Sequence, residues 1–249
     1  MNDILVLAAA GIVAGAMNAI AGGGSFVALP ALLSCGVSPV LANASSSVAL
    51  YPGSMASDWG YRHDLGGVAG ASLRSLTLTS LLSGLAGSVL LLATPATLFD
   101  LVLPWLLLLA LLALAFGQRF AARFRGDVEA SGPTILAAQA PLGIYGGYFG
   151  GAVGLMMMAF WSVATHSDIK RLQAPRTFLV TAANTAALFV FAAMRAVEWR
   201  AVLLLAPSAI AGGYLGAHRA ARLPPRWMRA VTLALASLIT LAFFARAYA

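Results

Sequence analysis

Apolar stretches and short polar breaks alternate along the whole 249-residue chain. The pattern predicts apolar segments at 4–21, 25–36, 41–57, 66–93, 98–116, 133–152, 154–165, 174–194, 199–217 and 228–245. Runs such as LPWLLLLALLALAFG are continuous rather than alternating, which is typical of buried helices and not of half-buried strands. A helix needs about 20 residues to cross a hydrocarbon core of about 30 Å, and most of these segments come near that length. The pattern therefore predicts an all-α polytopic membrane protein.

Composition supports a membrane protein over a soluble one. The chain is 61% hydrophobic and 9% charged, whereas soluble domains carry about 25% charged residues. The formal net charge is +7, but the basic residues sit in short loops between apolar segments, where orientation signals belong. We therefore expect the lipid bilayer as surroundings and no nucleic-acid partner.

Two of the apolar segments, 25–36 and 154–165, are too short to cross the bilayer. Each follows a glycine cluster, GGG at Gly22–Gly24 and GGAVG at Gly150–Gly154. Glycine inside a helix costs about 1 kcal/mol relative to alanine, so both clusters predict a helix break. Each short segment either extends a loop or turns back as the second arm of a hairpin.

The distribution of the 15 basic residues separates these two alternatives. If both short segments are loops, the chain crosses eight times and the basic residues divide eight against seven. If both turn back, Arg195, Arg200 and Arg246 lie on one side and the other 12 lie opposite. Such a bias is typical of membrane proteins. It predicts hairpins, periplasmic termini and cytoplasmic loops at 58–65, 117–132, 166–173 and 218–227.

The hairpin topology implies two inverted repeats, since each half then holds a glycine-broken hairpin plus three transmembrane helices. We place the first repeat at 1–116, a cytoplasmic linker at 117–132 and the second repeat at 133–249. GIVAGAMNAIAG (Gly11–Gly22) and GIYGGYFGGAVG (Gly143–Gly154) share glycines at matching positions, and so do SGLAGS (83–88) and GGYLGA (212–217). Inverted repeats with broken helices at the membrane midplane are common in secondary transporters.

The same stretches resemble a known family. The stretch from GIVAGAMNAIAGGGSFVALP to NASSSVALYPGSMASDW, together with GIYGGYFGGAVGLMMMAFW and LQAPRTFLVTAANTAALFVFA, is similar to the sulfite exporter TauE/SafE family. The resemblance implies a bacterial inner-membrane carrier of small sulfur-containing anions, such as sulfite or an organosulfonate like sulfoacetate. Members often carry Lys-Asn where this chain has Arg176 and Thr177, so the charge is kept and the amide is not.

An anion inside a membrane needs hydrogen-bond donors, and free N–H groups at a helix N-terminus supply them. The glycine breaks offer two such termini, one from each half. The candidate anion-binding residues are Gly22, Gly23, Gly24, Ser25, Gly151 and Gly154. The alternative is that these glycines only allow helices to pack closely.

Polar side chains beside the breaks extend this candidate site. Ser45 and Ser46 belong to a run of three serines that spans too wide an arc for all of them to cap the helix. Arg176 begins an apolar helix and either binds the anion or anchors the helix end at the cytoplasmic surface. Asn184 lies two turns further along, and Asn18 could line the path.

Several other functions lack their required residues. Cys35 is the single cysteine and the three histidines are far apart, so we expect no metal site and no cofactor. The sequence has no ATP-binding motif, and its serines have no mid-membrane base, so we expect no enzyme. The sequence predicts a transporter whose partner is the anion, and it allows a homodimer.

All eight carboxylates fall at or near segment ends, where proton relays are unusual. We therefore expect an exporter that works by alternating access and is driven by the membrane potential without a coupled ion. The alternatives are an importer coupled to sodium or protons, and an anion channel.

Overall fold

The computed structural model describes residues 2–124, 129–165, 167–220 and 225–248. Within this part the chain forms ten α-helices and a short 3-10 helix, Arg62–Asp64. The α-helices are α1 (Asn2–Ala21), α2 (Ser25–Ser34), α3 (Pro39–Tyr61), α4 (Leu73–Ala93), α5 (Ala96–Phe124), α6 (Gly132–Tyr148), α7 (Val153–Ala164), α8 (Ile169–Ala193), α9 (Trp199–Ala220) and α10 (Pro225–Tyr248). Arg125, His166 and Arg222, and the side chains of His218, Arg219, Arg226 and Arg229, lie outside the description.

The helices follow the predicted segments closely, which confirms the all-helical membrane class. Four helices in the described part are long and apolar enough to span a membrane: Leu73–Ala93, Ala96–Gly117, Lys170–Ala193 and Ala230–Tyr248. The two short segments are separate helices, α2 with 10 residues and α7 with 12. At about 1.5 Å per residue, each reaches only about half-way across a bilayer core of about 30 Å.

The segment predicted at 66–93 is shorter than expected, because α4 begins only at Leu73. Residues 66–72 instead form a tight turn in which Val68 pairs with Ala71. Gly70 takes a left-handed backbone there, with φ of 78°. The apolar residues in this turn are buried, so hydrophobicity alone could not separate them from the helix.

Glycines bring the halves together in two parallel helix pairs. In the pair α1–α9, a methyl group added at Gly15 would meet the backbone of Ala209, and one added at Gly216 would lie 2.7 Å from Cα of Ala16. In the pair α4–α6, methyl groups at Gly87 and Gly147 would meet the opposing backbone in the same way. These are the matched glycine motifs, and their close approach fits small-residue packing in membranes.

Two further cross-half pairs, α3–α8 and α5–α10, run antiparallel. In α3–α8, Tyr51 lies against Thr185 with 2.7 Å between their oxygens, whereas Asp58 lies beside Thr181 and Thr177. In α5–α10, the start of one helix meets the end of the other.

Two side-chain contacts join the start of α5 to the end of α10. Arg246 Nη2 lies 3.6 Å from Asp100 Oδ2, and Trp105 Nε1 donates to the hydroxyl of Tyr248 at 2.9 Å.

Both short helices place one apolar face in the protein core. Phe26, Leu29 and Leu32 of α2 belong to the larger apolar core, and Met157 and Trp161 of α7 belong to a second core. Broken helices survive at membrane depth only where protein rather than lipid surrounds them. The two glycine breaks therefore lie in protein-lined surroundings.

Candidate functional site

The two glycine breaks share one backbone feature. Gly22 and Gly150 both adopt the left-handed region, with φ of 70° and 74°. The chain then enters α2 through Gly24 and α7 through Ala152. Ala152 is itself left-handed, with φ of 59°, a conformation that costs an L-residue about 1 kcal/mol.

Each break leaves backbone donors free. The N–H groups of Gly23, Gly24 and Ser25 in the first break have no partner within the described ranges. The same holds for the four residues Gly151–Gly154 in the second break. These donors carry the positive end of the helix dipole of α2 or α7.

The glycine equivalence predicted from the sequence is corrected in one detail. The motif match pairs Gly22 with Gly154, but the left-handed partner of Gly22 is Gly150, and Gly154 lies in the first turn of α7. The reason is a difference in helix length, because α1 continues to Ala21 whereas α6 stops at Tyr148. Glycine-rich strings align at several offsets, so the sequence could not reveal this shift.

Arg176 lies directly against the second break. A methyl group added at Gly154 would be 3.6 Å from both Cδ and Nη1 of Arg176. The Nε atom of Arg176 is buried and has no hydrogen-bond partner in the described part of the chain. No ion pair there involves Arg176 either. The guanidinium therefore stands beside free backbone donors without an anionic partner.

Polar side chains of α3 and α8 converge on Gly150. A methyl group there would lie 2.9 Å from Oγ of Ser47 and 3.9 Å from Oδ1 of Asn184. Asn43 donates from Nδ2 to the carbonyl of Tyr148 at 2.8 Å, just before the break. The Oδ1 atoms of Asn43 and Asn184 are both buried and lack partners among the described residues. The second break thus combines donors, a cation and unpartnered amides.

The three consecutive serines at 45–47 make different contacts. Ser45 Oγ accepts a hydrogen bond from the N–H of Glu198 at 2.9 Å, next to the start of α9. Ser46 Oγ donates to the carbonyl of Asn43 at 2.9 Å. Ser47 bonds the same carbonyl at 3.1 Å but lies next to Gly150. Sequence reasoning passed over Ser47, although Asn43, Ser47 and Tyr51 are spaced four residues apart and share one helix face.

The first break has mostly apolar surroundings. Gly23 lies near Met17 and Phe26, and a methyl group at Gly24 would lie 2.6 Å from the carbonyl oxygen of Ala14. Asn18 is near Gly24 through its Cβ atom, and its carbonyl accepts from the N–H of Gly22 at 2.9 Å. Ser25 is buried. Among the described contacts, none joins Gly22–Ser25 or Asn18 to Arg176, Gly154 or Asn184.

Asp58 is a further polar residue that sequence reasoning passed over. It lies in the last turn of α3, near the predicted segment end, but its Oδ1 atom is buried against α8 without a hydrogen-bond partner in the described chain. Only packing against α8 reveals this burial, so the sequence carries no signal for it.

One surface pocket lies elsewhere, at the paired ends of α5 and α10. Thr97, Asp100, Leu101, Phe243, Arg246 and Ala247 line it. Asp100 and Arg246 neutralise each other there at 3.6 Å. This pocket therefore offers no free cation to an anion, and the chemistry favours the second break.

Comparison with known proteins gives the family. The family model of the sulfite exporter TauE/SafE family matches residues 7–243 of the chain. The chain belongs to the sulfite exporter TauE/SafE family. It is also 27% identical over 216 residues, covering 85% of this chain and 80% of the relative, to a probable membrane transporter protein ORF9 from Sinorhizobium sp.. No solved structure matches the chain.

Membership of the TauE/SafE family settles the broad class. The chain is a multi-pass membrane protein of a transporter family, and that family is not a class of enzymes. The resemblance read from the glycine motifs is thereby confirmed. Among the described residues, no three His, Cys, Asp or Glu side chains gather as a metal site.

Proposed function

We propose that this TauE/SafE family member is a secondary transporter that exports a small sulfur-containing anion across the bacterial inner membrane by alternating access. Sulfite and organosulfonates such as sulfoacetate are the substrates we expect. One observation carries the proposal: the unpaired guanidinium of Arg176 lies against Gly154, next to the free N–H groups of Gly151–Gly154. Cationic and dipolar donors at a helix N-terminus form a ready anion site.

The geometry of these donors fits an oxyanion. A guanidinium presents its N–H groups in a planar fork, which matches two oxygens of one sulfonate or sulfite group. The free amides of α7 can then bind the third oxygen. Because Arg176 has no carboxylate partner among the described residues, an arriving anion displaces no ion pair there.

Two inverted repeats are the architecture that we propose for this transporter. Exchanging α1–α5 with α6–α10 turns the pair α1–α9 into α6–α4, and both pairs are present. The same exchange turns α3–α9 into α8–α4, also present, and returns α3–α8 and α5–α10 to themselves. The neighbour relations therefore support a pseudo-two-fold relation between the halves.

Helix directions support the hairpin topology over eight simple crossings. With hairpins, α5 starts and α10 ends on the same side, whereas eight crossings would put Asp100 and Arg246 on opposite sides. These two residues are 3.6 Å apart. The antiparallel α3–α8 pair supports the same choice. The charge bias then puts both termini in the periplasm.

Export is the direction that the membrane potential favours for an anion. An inside-negative potential contributes about 2.3 kcal/mol per charge per 100 mV. The basic side chains at cytoplasmic helix ends would also concentrate anions there. A coupled importer is the second candidate, because the half-buried Asp58, whose Oδ1 atom is shielded, offers a group that the potential-driven exporter does not need.

Thermal unfolding of the purified protein tests this proposal. Sulfite, thiosulfate, sulfoacetate, taurine and chloride would each be added at rising concentration. A ligand at about 100 times its Kd stabilises a protein by about 2.7 kcal/mol, or roughly 5–10 °C for a chain of this size. We expect such a shift with at least one of the sulfur oxyanions and not with chloride. Equal shifts with all five compounds, or none with any sulfur oxyanion, would contradict the proposed substrate class.

A matched pair of variants assigns the shift to the site. Arg176→Ala removes the guanidinium at the second break, and Arg171→Ala removes an exposed one from the same helix. We expect Arg176→Ala to lose the shift and Arg171→Ala to keep it. A full shift in Arg176→Ala would mean that the anion binds elsewhere.

A further inference from the structure

The second break has different chemistry at its two ends. At Gly154 the polar neighbour is a cation, since a methyl group added there would lie 3.6 Å from Nη1 of Arg176. At Gly150 the three nearest heavy atoms, apart from its neighbours along the chain, are all oxygens. They are Oγ of Ser47 at 2.9 Å, the carbonyl oxygen of Gly146 at 3.6 Å and Oδ1 of Asn184 at 3.9 Å. The break therefore has a cationic end and an oxygen-lined end.

The oxygens at the Gly150 end accept hydrogen bonds but have no hydrogen to give. Ser47 donates its single hydroxyl hydrogen to the carbonyl of Asn43 at 3.1 Å, so only its lone pairs remain for a ligand. The amide oxygen of Asn184 is an acceptor by its chemistry. It is buried and has no hydrogen-bond partner among the described residues.

The end of α6 adds to this acceptor character, because the last carbonyls of a helix carry the negative end of its dipole. The carbonyls of Gly146 and Gly147 accept no hydrogen bond in the described part of the chain. The carbonyl of Tyr148 accepts one from Nδ2 of the buried Asn43, which leaves Oδ1 of Asn43 buried and unpartnered as well. The oxygen-lined end is thus the negative end of α6, and the cationic end is the positive end of α7.

Unpaired buried acceptors favour one kind of ligand over another. An anion without a hydrogen to donate leaves these oxygens unpaired, which is unfavourable. A second carboxylate or sulfonate group would place further acceptor oxygens against them. A hydroxyl group supplies the missing hydrogen. A sodium ion would also bind oxygens, but none of the three oxygens nearest to Gly150 belongs to a carboxylate.

We propose that the second break selects a short sulfonate that carries a hydroxyl group at the end opposite to its sulfonate. This inference rests on the proposed transport function and narrows its substrate class. The sulfonate binds Arg176 and the free N–H groups of α7, and the hydroxyl donates to Asn184 or Ser47 beside Gly150. Gly150 and Gly154 are four residues apart in one break, so one small molecule contacts both ends.

A hydroxyl group also agrees with the proposed direction of transport. It leaves the negative charge of the sulfonate uncompensated, and the membrane potential acts on that charge in export. An ammonium group would donate hydrogen bonds as well, but it would cancel the charge and remove the driving force. The hydroxyl is therefore the donor that fits both the oxygens at Gly150 and potential-driven export.

Isothermal titration calorimetry with matched sulfonates tests the proposal. Isethionate and ethanesulfonate share a two-carbon chain and one negative charge, and only isethionate has a terminal hydroxyl. We expect isethionate to bind at least about fivefold tighter, which is the factor expected for one hydrogen bond to an unpaired buried acceptor. Sulfoacetate, with a carboxylate in place of the hydroxyl, should bind no tighter than ethanesulfonate. All ligands are added as choline salts, so that sodium is absent.

Three results of this titration would overturn the proposal. Equal affinities for isethionate and ethanesulfonate would show that the oxygens at Gly150 do not read the ligand. Tighter binding of taurine than of isethionate would assign this end to an ammonium group. Tighter binding of ethanesulfonate in sodium than in choline would assign it to a metal cation.

Matched variants assign the preference to the Gly150 end. Asn184→Leu replaces the amide with an apolar side chain of similar size, and Asn18→Leu makes the same change beside the first break. We expect Asn184→Leu to bind isethionate only as tightly as ethanesulfonate, and Asn18→Leu to keep the preference. Ser47→Ala, a smaller change, should reduce the preference. A full preference for isethionate in both Asn184→Leu and Ser47→Ala would refute the assignment.

The same titrations separate this inference from the proposed function. If both sulfonates bind equally and Arg176→Ala abolishes their binding, the anion site stands and the hydroxyl inference fails. If isethionate, ethanesulfonate and sulfite all fail to bind the wild type, the proposed function fails and the inference fails with it.

Discussion

The two glycine breaks both begin with a left-handed glycine, and they differ in the charge that lies beside them. Gly22 and Gly150 adopt almost the same left-handed φ, and each precedes a short buried helix with free N–H groups. The contacts of the first break are Met17, Phe26, Leu50 and the Cβ atom of Asn18. Those of the second break include Phe149 and Val180 and, in addition, Arg176, Ser47 and Asn184. In the inverted repeat that we propose, the two copies keep a similar break while one copy alone carries the charge. We therefore propose an asymmetric anion site centred on the second break.

The largest expected effect comes from Arg176→Ala. Removing one partner of a buried charged contact costs about 2–5 kcal/mol, so anion affinity should fall by at least about thirtyfold. Arg176→Lys keeps the charge without the planar fork and should lose less. Equilibrium binding of radiolabelled sulfite measures both. Unchanged sulfite affinity in Arg176→Ala would show that the charge beside the second break does not bind the anion.

The next largest effect separates packing from binding by changing one glycine beside each break. Gly24→Ala puts a methyl group 2.6 Å from the carbonyl oxygen of Ala14 and 2.9 Å from Cβ of Asn18. Such overpacking costs about 1–3 kcal/mol of stability. Gly154→Ala meets its neighbours at 3.4 and 3.6 Å, which is ordinary contact.

We therefore expect Gly24→Ala to lower Tm, and Gly154→Ala to keep Tm while weakening anion binding at Arg176. Thermal unfolding with and without sulfite measures both effects. The reverse assignment, with binding lost only in Gly24→Ala, would move the site to the first break.

A smaller effect distinguishes two serines in one run. Ser45→Ala removes the acceptor for the N–H of Glu198 at 2.9 Å, and loss of such a bond costs about 0.5–1.5 kcal/mol. Ser47→Ala removes a hydroxyl beside Gly150. We expect Ser45→Ala to lower Tm without changing the sulfite-induced shift, and Ser47→Ala to reduce the shift. Equal behaviour of the two variants would remove Ser47 from the site.

The smallest effect concerns the contact between the halves at α5 and α10. Asp100 and Arg246 are largely exposed, and exposed ion pairs contribute about 0.2–1 kcal/mol. Asp100→Asn should therefore change Tm by no more than a few degrees and leave sulfite binding intact. Thermal unfolding at low and high salt measures the pair, and a large loss of binding would instead implicate this pocket.

Much of the scaffold could be predicted from local sequence. Glycine clusters placed the breaks, and the short apolar runs after them predicted α2 and α7 as separate helices. The turn at 66–72 was missed, because its apolar residues are buried in the same way as those of a helix.

The candidate site was harder to predict, since it depends on contacts between distant segments. Arg176 and Gly154 were both expected in the site, and their proximity comes from the packing of α8 on α7. The arc that the three serines span on the helix does not show which of them faces the site. Only the fold shows that Ser45 already accepts a hydrogen bond from the N–H of Glu198, next to the start of α9. Asp58 lies at a helix end, where the sequence indicates an exposed residue. Only the packing of α8 on α3 shows that its Oδ1 atom is buried.

A crystal structure of the protein soaked with selenite locates the anion site, because selenite is the selenium analogue of sulfite and gives an anomalous signal. We expect one anomalous peak within hydrogen-bonding distance of the Arg176 guanidinium and the N–H groups of Gly151–Gly154. A peak at Gly22–Gly24 without one at the second break, or a peak only beside Arg246, would contradict it.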